Sequence, residues 1–144
     1  MNVFETIKNR RSIRSYSDKM VENEKLFQIL EAARLSPSAV NYQPWHIIVV
    51  KDRAAKEELS KAYPPTWFSK APVIIVVCVD PHKAWRRKDG EEIWKVDGAI
   101  AMQSIVLTAY ELGLGTCWIC AFDENKVKTA LNIPDNIRVV AMTP

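Results

Sequence analysis

The chain has 144 residues, of which 48% are hydrophobic and 26% are charged, and its formal net charge is +3. This composition is that of an ordinary globular protein with enough residues to bury a core. The charge is modest and the basic residues are mostly dispersed, which argues against nucleic-acid binding. No apolar run has membrane-spanning length and the N-terminus lacks a signal-peptide core, so we expect a cytoplasmic protein that does not act at a membrane.

Hydrophobic periodicity and turn residues predict one α+β domain over residues 1–144, with helices packed around a mostly antiparallel sheet. In chain order, the pattern predicts helix 2–9, helix 24–35, strand 46–50, helix 54–62, strand 73–79, helix 96–114, strand 116–122, helix 123–131 and strand 137–142. The run at 73–79 is continuously apolar, which is typical of a central strand. Pro37 and Pro44 bound an irregular loop between the second helix and the first strand.

Three arginines crowd around one serine directly after the first predicted helix. Arg10, Arg11 and Arg14 surround Ser12. Guanidinium groups this close repel one another, and such crowding persists most readily where a multiply charged anion shares the site. The cluster therefore predicts a phosphate site, with a solvated basic turn as the alternative.

The segment at 80–95 mixes aromatic and charged residues without a regular period. It predicts a loop or a short irregular helix, which could be either a solvated connection or a lid over a ligand. Trp85 and Trp94 are its candidate specificity residues.

Two cysteines, Cys117 and Cys120, have the spacing of a redox pair or of half a zinc site. They fall in a predicted buried strand rather than at a helix N-terminus, and residues three apart in a strand point to opposite faces. Zinc would need two further ligands, and the remaining Cys and His residues are isolated along the chain. We therefore expect both to be structural core cysteines and no metal site.

Three motifs follow one another along the chain: RRSIR at 10–14, SPSAVNYQPW at 36–45 and GLGTCW at 113–118. In this order they resemble the FMN-dependent nitroreductase family, in its small single-domain branch, and the resemblance extends over essentially the whole chain. It implies an intertwined homodimer with shared FMN sites, in which the 96–114 helix builds much of the interface.

The resemblance also implies which residues hold FMN. Arg10 resembles the ligand of the 5′-phosphate, helped by Arg11 and Ser12. Arg14 resembles the basic residue at the flavin N1/O2 edge, where a cation favours the reduced form.

Two further segments correspond to flavin contacts in the family. The loop that reaches the flavin of the other subunit corresponds to Pro37, Ser38, Asn41 and Gln43. The turn whose backbone lies over the ring near N5 and O4 corresponds to Gly115, Thr116 and Cys117. A plain helix C-cap explains the two glycines of the third motif equally well.

The implied activity is hydride transfer from NAD(P)H to a nitroaromatic, quinone or related acceptor by a ping-pong mechanism. Because the cofactor carries the hydride chemistry, we expect no catalytic side-chain nucleophile or obligatory acid. Alternatives left open are a same-fold reductive dehalogenase or flavin–oxygen enzyme, and a flavin-binding protein without turnover. Family members usually continue past Thr143 and Pro144 into a basic tail. We expect that tail to be absent here, which bears on FMN affinity and dimer stability.

Overall fold

The continuously apolar run after Pro72 forms the central strand of the sheet. The computed structural model, which describes residues 2–144, places β2 (Ile74–Val79) between β1 (Trp45–Val50) and β3 (Arg138–Thr143). Both pairings are antiparallel, and every residue of β2 is buried. The predicted α+β class and the central position of this strand are confirmed.

Five helices surround the sheet, with shifts of only a few residues from the predicted ends. Helices α1 to α5 cover Val3–Asn9, Asn23–Arg34, Arg53–Ser60, Trp94–Glu111 and Glu124–Leu131. Side-chain oxygens of Asn2, Asp52 and Asp123 accept first-turn backbone N–H bonds at the starts of α1, α3 and α5. These caps satisfy donors that a helix leaves without intrahelical partners. Within residues 2–144, none of the helices is both long and apolar enough to cross a membrane.

Because alternate residues of β2 point to opposite faces, the strand contributes to two hydrophobic clusters. Ile74 and Val76 pack on one side with α3 and α5 residues such as Leu59 and Val127. The other side of the sheet packs against α2 and α4, whose buried residues include Leu26, Ile29, Met102 and Ile105. The α2–α4 side matters for the site because α4 also supports the irregular loop after α2.

The prediction of a strand over 116–122 is wrong. The segment makes only isolated bridges, from Thr116 to Ser12 and from Ile119 to Met142. Its hydrogen bonds are divided between neighbours: Ile13 N donates to Thr116 O at 2.8 Å, and Ile119 exchanges two backbone bonds with Met142. Despite its β-branched and aromatic composition, the segment therefore links two parts of the fold and does not form a fourth strand.

The cysteines are free thiols, and their environments differ from the prediction at one position. Cys78 and Cys117 are buried, as expected of core residues, but Cys120 is exposed. Burial raises the pKa of the Cys78 thiol to about 12, so that this thiol stays protonated at neutral pH. Among residues 2–144, no group of three or more His, Cys, Asp or Glu side chains is arranged to hold a metal ion.

The segment at 80–95 is a turn followed by a short hairpin-like bridge between Arg86 and Glu92. Trp94 begins α4 and is only 4% exposed. Its indole Nε1 donates to Glu92 Oε2 at 3.0 Å, and the Arg138 guanidinium lies 5.1 Å from the ring centre. Burial and these contacts explain why a tryptophan is found at position 94. Trp85, the other candidate specificity residue, is half-buried.

Candidate functional site

The first and third sequence motifs lie side by side. Ser12 forms a parallel bridge with Thr116, and the Ile13 N–H donates to Thr116 O. Local geometry brings the chain there: α1 ends at Asn9, and Arg10 leaves the helix in an extended conformation. The arginine cluster and the turn at 115–117 therefore form one continuous surface.

The arginines of the cluster differ from the other arginines of the protein in their partners. Each of the others pairs with a carboxylate: Arg34 with Glu31, Arg53 with Glu57, Arg86 with Glu92, Arg87 with Asp89 and Arg138 with Glu124. Among residues 2–144, Arg10, Arg11 and Arg14 have no such pair. Arg11 instead donates to the backbone oxygens of Lys8 and Arg10.

The Arg10 side chain is the most informative member of this cluster. Its Nε is buried and has no hydrogen-bond partner among the residues that the structure describes. Leaving a buried charged donor unpaired costs free energy. Arg14 and Ser12 are exposed beside it in the chain. This segment can therefore accept an anion without first breaking an internal ion pair.

Tyr16 fixes the chain just after the cluster. Its hydroxyl donates to Ile13 O at 2.6 Å, and its ring centre lies 6.3 Å from that of Trp67. Burial raises the pKa of the Tyr16 hydroxyl, the neighbouring Cys117 thiol adds to this rise, and Arg14 opposes it. The hydroxyl consequently remains a donor at neutral pH and holds the backbone of the cluster in place.

A cleft of ≈ 310 Å³ lies next to this segment, with Ile13 and Tyr16 in its wall. It runs between the chain at 13–25 and the end of β3, and Gly115 and Thr116 belong to its wall. Neither the arginines at 10–14 nor the loop at 37–43 line it. Of the residues predicted to bind a cofactor, Gly115 and Thr116 are the two that line this cleft.

The second motif forms a tight loop with unusual backbone geometry. Val40, Asn41 and Gln43 have φ values of 55°, 56° and 50°. Non-glycine residues seldom adopt positive φ, and a β-branched residue such as Val40 does so least readily. The Gln43 N–H donates to Ser38 Oγ at 2.9 Å, which closes the loop, and the side chains of Asn41 and Gln43 are exposed.

The loop and the arginine cluster are held near opposite ends of α4. The Ala39 N–H donates to Asp97 in the first turn of α4, whereas the chain around Thr116 follows the last turn. From Asp97 to Glu111 the helix extends roughly 21 Å at about 1.5 Å per residue. The structure therefore brings together two of the three motifs within one chain and holds the third apart.

Comparison with known proteins decides the family. A profile of the nitroreductase family matches residues 7–67 and 61–144. The chain belongs to the nitroreductase family. A crystal structure of a nitroreductase family protein from Clostridium novyi NT superposes with a TM-score of 0.93 at 40% identity, covering 100% of this chain and 83% of that one.

Two further proteins that resemble this chain have names that mention FMN. An FMN-dependent nitroreductase from Clostridium difficile R20291 has a TM-score of 0.86 and 34% identity, with coverage of 97% of this chain and 84% of that chain. An FMN reductase [NAD(P)H] of Bacillus subtilis is 34% identical, over 85% of this chain and 55% of the relative. The motif-based assignment to this family is confirmed.

Sequence reasoning did not find the contacts that support the nitroreductase motifs. Asp97 is noticeable in the sequence only as an acidic residue near a helix start, yet its carboxylate holds the loop at Ala39. The Ser36 hydroxyl donates to the Ser104 hydroxyl at 2.7 Å, although the two residues are far apart in the chain. Polar residues at helical spacing on an otherwise apolar face of α4 were the available signal.

Position 115 requires a small residue because the Ile13 side chain packs directly against it. A Cβ at position 115 would lie 2.9 Å from Ile13 Cγ1 and 3.0 Å from Ile13 Cβ. We expect Gly115→Ala to destabilise the protein by about 1–3 kcal/mol through overpacking, as urea unfolding would measure. Adding Ile13→Ala should recover part of this loss. Strictly additive effects of the two substitutions would contradict direct contact between these positions.

Proposed function

We propose that this protein oxidises NAD(P)H and transfers the hydride to a quinone, nitroaromatic or related small acceptor, with the two substrates using one site in turn. The observation that carries the proposal is the arginine cluster at 10–14, which lacks carboxylate partners among the described residues. A nitroreductase-family chain with an unpaired cationic segment fits a phosphate-bearing cofactor. The protein is a flavin-dependent NAD(P)H oxidoreductase, consistent with relatives named FMN reductase and FMN-dependent nitroreductase.

The residues present fit FMN at its phosphate end. The buried, unpartnered Arg10 Nε needs an acceptor, and a phosphate supplies several acceptor oxygens. Arg10 and Ser12 would hold that phosphate, and Arg11 would add charge although its guanidinium is partly committed to backbone oxygens. When bound, FMN accepts a hydride from NAD(P)H and supplies it to the acceptor.

The other side chains have electrostatic and positioning roles in this proposal. Arg14 would place a positive charge at the edge of the flavin where negative charge develops on reduction, and would so favour reduction. The turn at Gly115, Thr116 and Cys117 presents backbone at the same surface, because Ser12 and Thr116 are bridged. No side chain is required to act as nucleophile or as obligatory acid.

The loop at 37–43 is proposed to complete the site of a second copy of this chain. Its position near the start of α4, away from the arginine cluster near the other end, supports a site that one chain does not complete alone. Val40 and Tyr42 are exposed apolar residues of this loop, and Leu35 just before it and Val96 beside Asp97 are exposed as well. Several exposed apolar side chains near exposed polar ones are typical of an interface. We propose a homodimer on these grounds, in which each chain is a single FMN-binding domain.

Steady-state kinetics under anaerobic conditions test the proposed reaction. We expect double-reciprocal lines to be parallel when NADH and a quinone are varied together. The visible absorbance of the FMN-loaded protein should disappear with NADH and return when a quinone is added after NADH has been removed by desalting. Intersecting lines, or acceptor reduction only while NADH remains, would indicate a ternary complex. Absorbance that NADH leaves unchanged would indicate a binding protein without turnover.

A further inference from the structure

Asp97 is a buried acidic residue whose carboxylate accepts a hydrogen bond from the loop that follows α2. The residue is 1% exposed, on the first turn of α4. Its Oδ1 accepts the Ala39 N–H at 2.9 Å, and its Oδ2 has no hydrogen-bond partner among residues 2–144. Burying an acidic side chain with so few partners is unfavourable unless the contact that it makes has a use.

The contact stabilises a backbone that is otherwise strained. Directly after Ala39, the chain enters the left-handed region at Val40 and Asn41, with φ values of 55° and 56°. Such conformations persist where the surrounding structure determines them. Ala39 is the first residue of the short 3₁₀ turn Ala39–Asn41, so the bond from Asp97 fixes the residue that starts the strained segment.

Other bonds fix the loop on either side, but none replaces the one to Asp97. Before the turn, the Ser36 and Ser104 hydroxyls bond at 2.7 Å. After it, Pro44 O accepts the Asp80 N–H at 2.9 Å. Between these points, the Asp97 carboxylate is the side chain from outside the loop that holds the turn, as far as the hydrogen bonds of residues 2–144 record.

We propose that Asp97 is a positioning residue, which fixes the turn at 39–43 so that Asn41 and Gln43 are presented outward to the FMN of a second subunit. The inference rests on the proposed function, because it assigns the loop to a shared flavin site. Asp97 is buried behind the loop and acts through Ala39, whereas Asn41 and Gln43 are the exposed residues.

Three variants separate the effect of the contact from that of the charge. Asp97→Ala removes the acceptor, and Asp97→Asn keeps an acceptor oxygen while removing the charge. Ala39→Pro removes the donor instead. Proline suits this position because Ala39 starts the 3₁₀ turn and the preceding Ser38 is extended, with φ −137° and ψ 158°. Asp52→Ala is the matched control, because Asp52 also accepts one backbone N–H at 2.9 Å, but at the start of α3.

Hydrogen exchange in the FMN-free protein tests positioning without reference to the cofactor. We expect Asp97→Ala and Ala39→Pro to speed amide exchange at 40–43 by about tenfold or more, with Asp97→Asn and Asp52→Ala close to wild type in this segment. Unchanged exchange in folded Asp97→Ala and Ala39→Pro would overturn the proposal. If Asp97→Ala does not fold, Ala39→Pro and Asp97→Asn still decide it.

FMN titration of the same variants tests the link to the site. We expect about tenfold weaker affinity for Asp97→Ala and Ala39→Pro, and near-wild-type affinity for Asp97→Asn and Asp52→Ala. Faster exchange with unchanged FMN affinity would overturn the flavin role of the loop while leaving Asp97 as its anchor. If the wild-type protein itself does not bind FMN, the result would instead count against the proposed function.

Discussion

Replacing Arg10 with alanine is expected to weaken FMN binding about 10- to 150-fold, because a lost hydrogen bond to a charged group costs about 1.5–3 kcal/mol. The structure gives this side chain a buried Nε without a partner among residues 2–144, so that truncation removes a donor that is available to the phosphate. Isothermal titration of the apoprotein with FMN measures the change. Unchanged affinity in a folded Arg10→Ala protein would mean that the cluster is a basic turn and not a phosphate site.

Two control variants distinguish the phosphate contact from general charge. Arg53→Ala also removes one positive charge, but from an exposed pair with Glu57 on α3, and should leave FMN affinity unchanged. Arg10→Lys keeps the charge and loses the planar, two-pronged donor, so we expect an intermediate affinity. Equal losses in Arg10→Ala and Arg53→Ala would point to long-range charge alone.

Local sequence patterns predicted most of the fold because apolar runs and helix caps can be recognised from neighbouring residues. Residues 74–79 are all apolar and became the buried central strand, and Asp52 caps α3 as its position before the helix predicts. The segment at 116–122 has the same β-forming composition and yet is not a strand. Its backbone partners, Ser12 and Met142, are distant in sequence, and composition does not reveal how hydrogen bonds are shared among distant neighbours.

The candidate site was predictable only as separate motifs. The residues of RRSIR identify a cationic segment, but the pairing of Ser12 with Thr116 depends on tertiary structure. The support given by Asp97 to Ala39 was not predictable either, because it joins residues 58 positions apart. The glycine at position 115 has a structural explanation of its own, since packing against Ile13 already requires a small residue there.

Mixing two differently damaged subunits is expected to restore FMN binding if the site is shared. Arg10→Ala lacks the phosphate contact and Asn41→Ala lacks a loop contact, so neither homodimer has an intact site. A heterodimer of the two has one site built from the intact Arg10 of one chain and the intact Asn41 of the other. Sedimentation of the wild type should report a dimer. A wild-type protein that is a monomer at micromolar concentration and still binds FMN tightly would already contradict a shared site.

The most direct measurement of the central claim is the FMN stoichiometry and affinity of purified heterodimers that carry two different affinity tags. For a site shared between subunits, the Arg10→Ala/Asn41→Ala heterodimer should bind one FMN per dimer with wild-type affinity. The matched heterodimer of wild type with the Arg10→Ala, Asn41→Ala double variant should then have no intact site. If each chain completes its own site, the result reverses: the double-variant heterodimer binds one FMN tightly, and the mixture of single variants binds none with wild-type affinity.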